Sequence, residues 1–480
     1  MKKHNVHGYI TTYFALSLGI IIILITTMIE GVRIHTVRFC TECAMDIGMD
    51  SVFAEYHREM LKQYKLLFID SSYGSSDGDI TKTKSHLLHY LNINLDNQAT
   101  LLMPSCNLIS THADNASLSG ISLASDNCGD VLRYQIVQYM KEKSGLNLLP
   151  IFDSHIDPKE VLQQYDQYDN QRSSSHDAVD NMLDEINSNL EPEQDPYSIS
   201  NPADAVESLS KSNALFYAIG DTNNLQTKSV YLNSYYSHRD NRSGVGLRNY
   251  QNAPNSISDK ELFVSYLFHV LGYYSETKTN SNLTYQIEYL LAGKANDIEN
   301  MEYVADRIFR SRYVINMSYL LSDSSKIAEA EALAISATAA IGHPELAEAV
   351  KYTILFAWGY AESAKDLRIL YDGHKLPLTK SAASWNTPLE QMPVFKEYLS
   401  DYSIPSGTMA YSDYLFLYIN EKSATELTER LMDIMEMDIR LTPGNSLFRI
   451  DNLIYQLTAT VNLSDSSGYG CTITRSFSYE

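Results

Sequence analysis

Hydrophobic patterning divides the chain into stretches with different periods. Residues 10–29, ITTYFALSLGIIIILITTMI, carry no charge, and about eleven of them are Ile, Leu or Phe. Twenty helical residues rise roughly 30 Å, the thickness of a bilayer hydrocarbon core. In lipid the backbone satisfies its own hydrogen bonds, so helix is expected despite the many β-branched residues. The run exceeds the 7–15 residues of a usual signal-peptide core, and no small-x-small cleavage site follows it. Glu30, Arg33, His35 and Arg38 come next, and VRFC lacks the small residues of a lipobox. The expectation is a retained transmembrane anchor.

Beyond it, Met45, Met49, Val52, Phe53, Tyr56 and Met60 recur at steps of three and four, with Glu42, Asp46, Asp50, Glu55 and Lys62 on other faces. This predicts an amphipathic helix continuing the anchor to about Tyr64, with a bend at Gly31 as an option. KLLFID (65–70) reads as a buried strand and SSYGSSDGD as a loop. A helix is expected over KTKSHLLHYLNINL, then short strands around Leu101–Ile109 and Ile121. From about Asp157 to Pro202 the chain is polar and acidic with few large aliphatics, and is expected to be a mobile linker with one transient helix.

The second half predicts helices over 261–275 and 297–321, then one capped by Asp323 and closed by Gly342, then one opened by Pro344 and closed by Gly373. YTILFAWGY within the last is too short between Glu348, Lys351 and Glu362 for a second span, and reads as bundle core. Period-two alternation runs through Leu453, Tyr455, Leu457, Ala459, Val461 and Leu463, and resumes after DSSG at Tyr469, Cys471, Ile473, Phe477 and Tyr479. That predicts a β-hairpin. The class is α+β, helix-dominated, with a single N-terminal transmembrane helix and a C-terminal hairpin. The expected divisions are 1–8 leader, 9–30 span, 31–155 membrane-proximal region, 156–202 linker, 203–445 helical region and 446–480 hairpin.

Charge narrows the partners. The chain holds 59 acidic and 37 basic residues, a net charge of −22. Such a body lacks the basic footprint that nucleic acid or an anionic membrane surface requires. With Lys2 and Lys3 ahead of the span, the amino terminus is expected inside and the body outside, although Arg33 and Arg38 make the flanking bias small.

Motifs for chemistry are few. CTEC (Cys40, Cys43) has redox spacing but lies within a predicted helix rather than at a strand-to-helix turn, so small buried residues are the preferred reading. Cys106 and Cys128 fall in loop or strand context on the oxidising side, and an intrachain disulfide is expected, worth about 3 kcal/mol for a loop of this size. Five cysteines leave one thiol free or paired between chains. His86 and His89 are one turn apart, but no HExxH glutamate or third ligand accompanies them, so no metal is expected. LLAGKAND fails as a phosphate loop because Glu288 stands where its first glycine would be. No EF-hand or GxSxG motif is present. The chain is expected to be no enzyme and to hold no cofactor. Its 35 tyrosines read as core replacements for Phe ahead of interface residues.

The opening GYITTYFALSLGIIIILITTMIEGVRIHTVRFCTECAMDIGMDSVFAEYHREMLKQYKLLFIDSSYG resembles that of an uncharacterised Gram-positive family of membrane-anchored proteins, often encoded beside tight-adherence (Tad) pilus components. LTYQIEYLLAGKANDIENMEYVADRIF, SDSSKIAEAEALA, AVKYTILFAWGYAESAKDLRIL, YSDYLFLYI and FRIDNLI are similar to it in style. The resemblance implies a one-pass envelope protein with a TadE-like anchor. It carries no catalytic residues. Its function would be a structural or accessory component of a pilus-like surface assembly; the alternative is an anchored module that binds an extracellular ligand in a pocket lined by Tyr and Trp358. Lipid around residues 10–29 and other envelope or pilus proteins are the expected partners. A pilin-type leader would end at Gly8, but the glutamate five residues into a mature pilin is here Tyr13, which favours an uncleaved anchor.

Overall fold

The computed structural model describes residues 7–95, 111–143, 158–190, 195–199, 203–204, 213–220, 223, 225, 227–244, 257–465 and 470–479. The chain divides into two compact units. One combines Met1–Glu142, Arg239–Asn255 and Thr442–Glu480; the other combines Lys143–His238 and Ser256–Leu441.

The first unit begins with α1 (His7–Phe53), 47 residues long. The helix runs on through Gly31 and stops sooner than expected, at Phe53. His57 then caps a separate helix, α2 (Arg58–Tyr64), by accepting from the Met60 amide, and Lys65 closes it in the left-handed region (φ 62). Thr26, Thr27 and Thr36 return their hydroxyls to carbonyls four residues back, so these polar groups are satisfied within α1. KLLFID buries Leu66 and Phe68, but only β1 (Ile69–Asp70) pairs as strand. Next come α3 (Ile80–Leu95), β2 (Thr111–Leu123) and α4 (Asp126–Glu142). The expected strand around Leu101–Ile109 lies outside the described residues.

The expected hairpin is present as β3 (Leu453–Asp465) and β4 (Gly470–Ser478). It is no separate segment. β3 is the centre of an antiparallel sheet, with β2 on one side and β4 on the other; β1 joins β3 opposite β2, since Ile69 and Leu123 both pair with Ile454. Alternation sends Leu457, Ala459, Val461, Leu463 and Ile473 to one face. There they pack with Met45, Met49, Val52 and Phe53 of α1 and Leu87, Leu91 and Leu95 of α3. Each Leu, Ile, Val, Met or Phe among them contributes roughly 1.5–3 kcal/mol on burial. The opposite face carries Thr458, Thr460 and Asn462, partly buried or exposed.

The second unit is helical. In chain order it contains α5 (Pro158–Ser188), α6 (Ala214–Ile219), α7 (Ile257–Val270), α8 (Gln286–Ala292), α9 (Asp297–Leu320), α10 (Ser324–Ala340), α11 (Ala347–Tyr371), α12 (Tyr411–Glu421) and α13 (Ala424–Ile439). The α9–α11 pair is central, and α5 and α6 pack on both. The helix expected over 261–275 is shifted to Ile257–Val270, and Pro344 opens a 3-10 turn (Pro344–Leu346) just ahead of α11, while the expected boundaries at Asp323, Gly342 and Gly373 hold. Asp323 accepts from the amides of Ser325 and Lys326, and Gly342 (φ 81) and Gly373 (φ 87) follow α10 and α11 with left-handed backbone.

The expected linker needs correction. Its core is α5, a 31-residue helix. Val161 and Val179 are buried, and the Tyr165 and Tyr168 rings meet Tyr313 at 5.6 and 6.5 Å. Tyrosine supplies the apolar contact here while counting as polar in a hydropathy pattern.

Candidate functional site

Residues 10–29 form the most distinctive surface in the molecule. Their large apolar side chains stand exposed, from 50% at Ile25 to 71% at Tyr13. Among the described residues α1 is the one helix long and apolar enough to cross a membrane. The bare stretch ends at a charged collar where Glu30 pairs with Arg33 (2.7 Å). From Val37 onward the same helix is buried on one side, at Val37, Thr41, Ala44, Met45 and Met49. One rod thus changes from apolar all round to amphipathic within about two turns.

Just past this change a shallow cleft lies between α1 and β4, lined by Arg38, Glu42 and residues 471–475. Its charges are engaged. Arg38 donates to Glu42 (3.1 Å) and Arg475 to Asp46 (2.8 Å). Burial pushes the Cys471 thiol up. Burial, then the nearness of Cys43, does the same to Cys40. Thiols held protonated make poor nucleophiles. Cys40 and Cys43 sit within the body of α1, as expected, but the expected burial needs correction: Cys40 is half-buried and Cys43 exposed.

Cys128 is exposed in a left-handed turn with Asn127 and Gly129 (φ 56, 51 and 84) at the start of α4. Its expected disulfide partner, Cys106, lies outside the described residues. His86 and His89 do not converge. His86 Nδ1 lies 2.9 Å from Glu55, whose carboxylate also accepts from the hydroxyls of Tyr90 (2.7 Å) and Tyr73 (3.1 Å). Glu55 thereby clasps α3 and the loop after β1 to the end of α1. His89 sits 5.9 Å from the Tyr90 ring. Among the described residues no group of three His, Cys, Asp or Glu could hold a metal ion.

Two buried polar centres in the second unit went unpredicted. In the first, α11 places Glu362 and Asp366 one turn apart, and the Lys380 ammonium bridges them at 2.5 and 2.7 Å. Arg312 of α9 donates through Nε to Asp366 (2.9 Å) and through Nη1 to the Pro377 carbonyl (2.9 Å). Asn316 adds a further bond to Asp366 (2.9 Å). The backbone amide of Asn386 donates to Glu362 (2.9 Å), and Lys365 donates to the Asn386 carbonyl (3.1 Å). The four central charges cancel, and all four side chains have zero exposure. Burial pushes the Asp366 carboxyl up, but Arg312 and Lys380 overcome this and hold it below its ordinary value. Chemically the network is a clamp that holds the irregular segment 377–391 against α11. Its four charged members are up to 68 positions apart in sequence, so no local motif announces it.

The second centre surrounds Glu288 of α8. One carboxyl oxygen accepts from the Tyr274 amide and the Tyr411 hydroxyl, both at 2.8 Å, while Oε2 has no hydrogen-bond partner among the described residues. The rings of Tyr274, Tyr371 and Tyr411 close on one another at 4.9–5.8 Å. Burial pushes the Glu288 carboxyl up to about 7, against the pull of its two donors. It can take up or release a proton near neutrality, but it has zero solvent exposure for a solute to reach.

No curated protein matches the chain, and no solved structure matches it. Residues 192–465 match DUF5702, a family of unknown function. That match covers more than half of the sequence, and the chain belongs to this family.

Proposed function

We propose that this chain is a non-enzymatic, single-pass membrane-anchored protein, with its amino terminus inside and its body outside. In this reading it serves as a structural or accessory component of a pilus-like surface assembly. The observation that carries the proposal is α1, one continuous helix whose bare apolar half merges into a half packed against the first unit's sheet. A body fixed in this way to a rigid rod is held at a set height above the bilayer. Orientation draws on Lys2 and Lys3 before the span and on the acidic excess after it.

The structural reading is favoured over a ligand-binding module by where the aromatic residues lie. Trp358, expected to line a pocket in the latter case, is buried, donates to the Thr387 carbonyl (2.7 Å) and meets Trp385 edge-on (5.6 Å). Lys326 caps it at 4.2 Å. The test is alkaline carbonate extraction of membranes, followed by protease treatment of intact protoplasts. The chain should stay in the carbonate pellet, and external protease should digest the body. Release by carbonate would overturn the anchor; full protection until lysis would overturn the orientation.

A further inference from the structure

Past the membrane, α1 keeps an apolar line that its own unit leaves uncovered. Val32, Phe39 and Ile47 stand 66%, 67% and 47% exposed, and Cys43 between them is exposed as well. At about 100° per residue these four fall within about 80° of arc. Val37, Thr41, Ala44 and Met45 are buried, and they centre on the opposite side of the helix. Thr36 fills the gap between Val32 and Phe39 and returns its hydroxyl to the Val32 carbonyl (2.8 Å), so it asks nothing of a neighbour. Below Val32 the line runs on into the span through Met28, Ile25, Ile21, Leu18 and Phe14, at steps of three and four.

Height decides what can cover this line. Counted from Ile29, Phe39 lies roughly 15 Å, Cys43 roughly 21 Å and Ile47 roughly 27 Å further along the axis. The headgroup layer adds only about 5–8 Å beyond the hydrocarbon core, and a tilt of about 40° still leaves all three outside it. Lipid therefore covers neither Cys43 nor Ile47, and a soluble partner could not follow the line down into the bilayer. What matches both halves is a rod that is apolar in the membrane and continues unbroken beyond it, and α1 is such a rod. We propose that α1 pairs in parallel with α1 of a second copy of this chain, about a two-fold axis along the membrane normal. Val32, Phe39, Cys43 and Ile47 then pack against their own counterparts, and lipid covers the rest of each span. Anchoring supplies the orientation, since both copies leave the same bilayer on the same side. The buried face of each rod points away from the axis, so the first units stand on the outside of the pair. Asp50, the next residue on the line, sets two carboxylates opposite each other, and the contact ends below it. The pairing rests on the anchored reading and gives the structural one a subunit contact.

The test uses the full chain in its native membranes. Mild oxidation should give a disulfide-linked dimer whose bridging peptide, by mass spectrometry, joins Cys43 to Cys43. Cys128, also exposed but at the start of α4, is the control for chance collision and should give no 128–128 bridge. Cys43→Ser should abolish the linked dimer. In detergent, light scattering should give the mass of a dimer for the parent chain. Phe39→Glu with Ile47→Glu, both at exposed positions, should weaken that dimer about tenfold or more while leaving the thermal transition in place. Absence of the 43–43 bridge, or an equal yield at 128–128, would overturn the pairing. So would a bridge from Cys43 to a different protein, or a dimer that tolerates both glutamates. Release of the chain by carbonate would overturn the anchor itself; a carbonate-resistant chain without the bridge overturns the pairing alone.

Discussion

Two apolar helical stretches meet opposite fates. Residues 10–29 of α1 and Thr353–Leu367 of α11 are both rich in large hydrophobic residues, yet the first is bare on every side and every residue of the second is buried. The stretches differ in how they treat charge. The α1 stretch has none. The α11 stretch ends in Glu362, Lys365 and Asp366, each with a partner brought from elsewhere in the fold. An apolar helix that also carries charges can fold into a protein interior only where counter-charges are waiting. A helix without them is free to face hydrocarbon.

The comparison breaks most readily at its charge-free end. Ile21→Arg with Ile22→Arg places two guanidinium groups mid-span, at about 2.5–3.5 kcal/mol each on insertion scales. The double variant should leave the carbonate-resistant pellet, and an unchanged pellet fraction would remove the distinction. At the other end, Lys380→Met strips the bridge between two buried carboxylates. Denaturant unfolding of the second unit should show a loss of about 3–5 kcal/mol, the usual cost of orphaning a buried charge. A loss under 1 kcal/mol would mean that the clamp is dispensable.

Glu288 sharpens the same point, because it is a buried acid without a basic partner among the described residues. Its folded-state pKa of about 7 lies above the ordinary 4.5. Between these values the folded chain holds a proton that the unfolded chain has lost, so stability falls as pH rises through the window and levels off above it. The total is about 3 kcal/mol. Glu288→Gln should abolish that slope; an identical slope in parent and variant would refute the assignment. The smallest effect belongs to the helix boundary. Asp323→Ala removes two amide contacts at the start of α10 and should cost about 1 kcal/mol in the same unfolding assay.

These contrasts also mark what local sequence could and could not convey. The span, the caps at Asp323, Gly342 and Gly373, and the β3–β4 hairpin follow from period, turn chemistry and backbone preference, all of which act within a few residues. The expected short strand around Ile121 is the end of β2; the rest of β2 escaped because its inward residues are small, Ala113 and Ala116, so alternation leaves only a faint hydrophobic trace. α5 escaped because its burial depends on Tyr313 and Tyr360, to which Tyr165 and Arg172 reach across the fold. The Arg312–Asp366–Lys380–Glu362 clamp was invisible for the same reason. Buried charge is tolerable only through tertiary partners, and those are not adjacent in sequence.

The central claim is that residues 10–29 face lipid while the largely apolar centre of α11 faces protein. A membrane-soluble photoactivatable probe, activated in native membranes and mapped by peptide mass, tests this directly. Label should concentrate in the peptide spanning residues 10–29 and be sparse in the peptide carrying Thr353–Leu367. Equal labelling of the two, or label confined to the α11 peptide, would contradict the account.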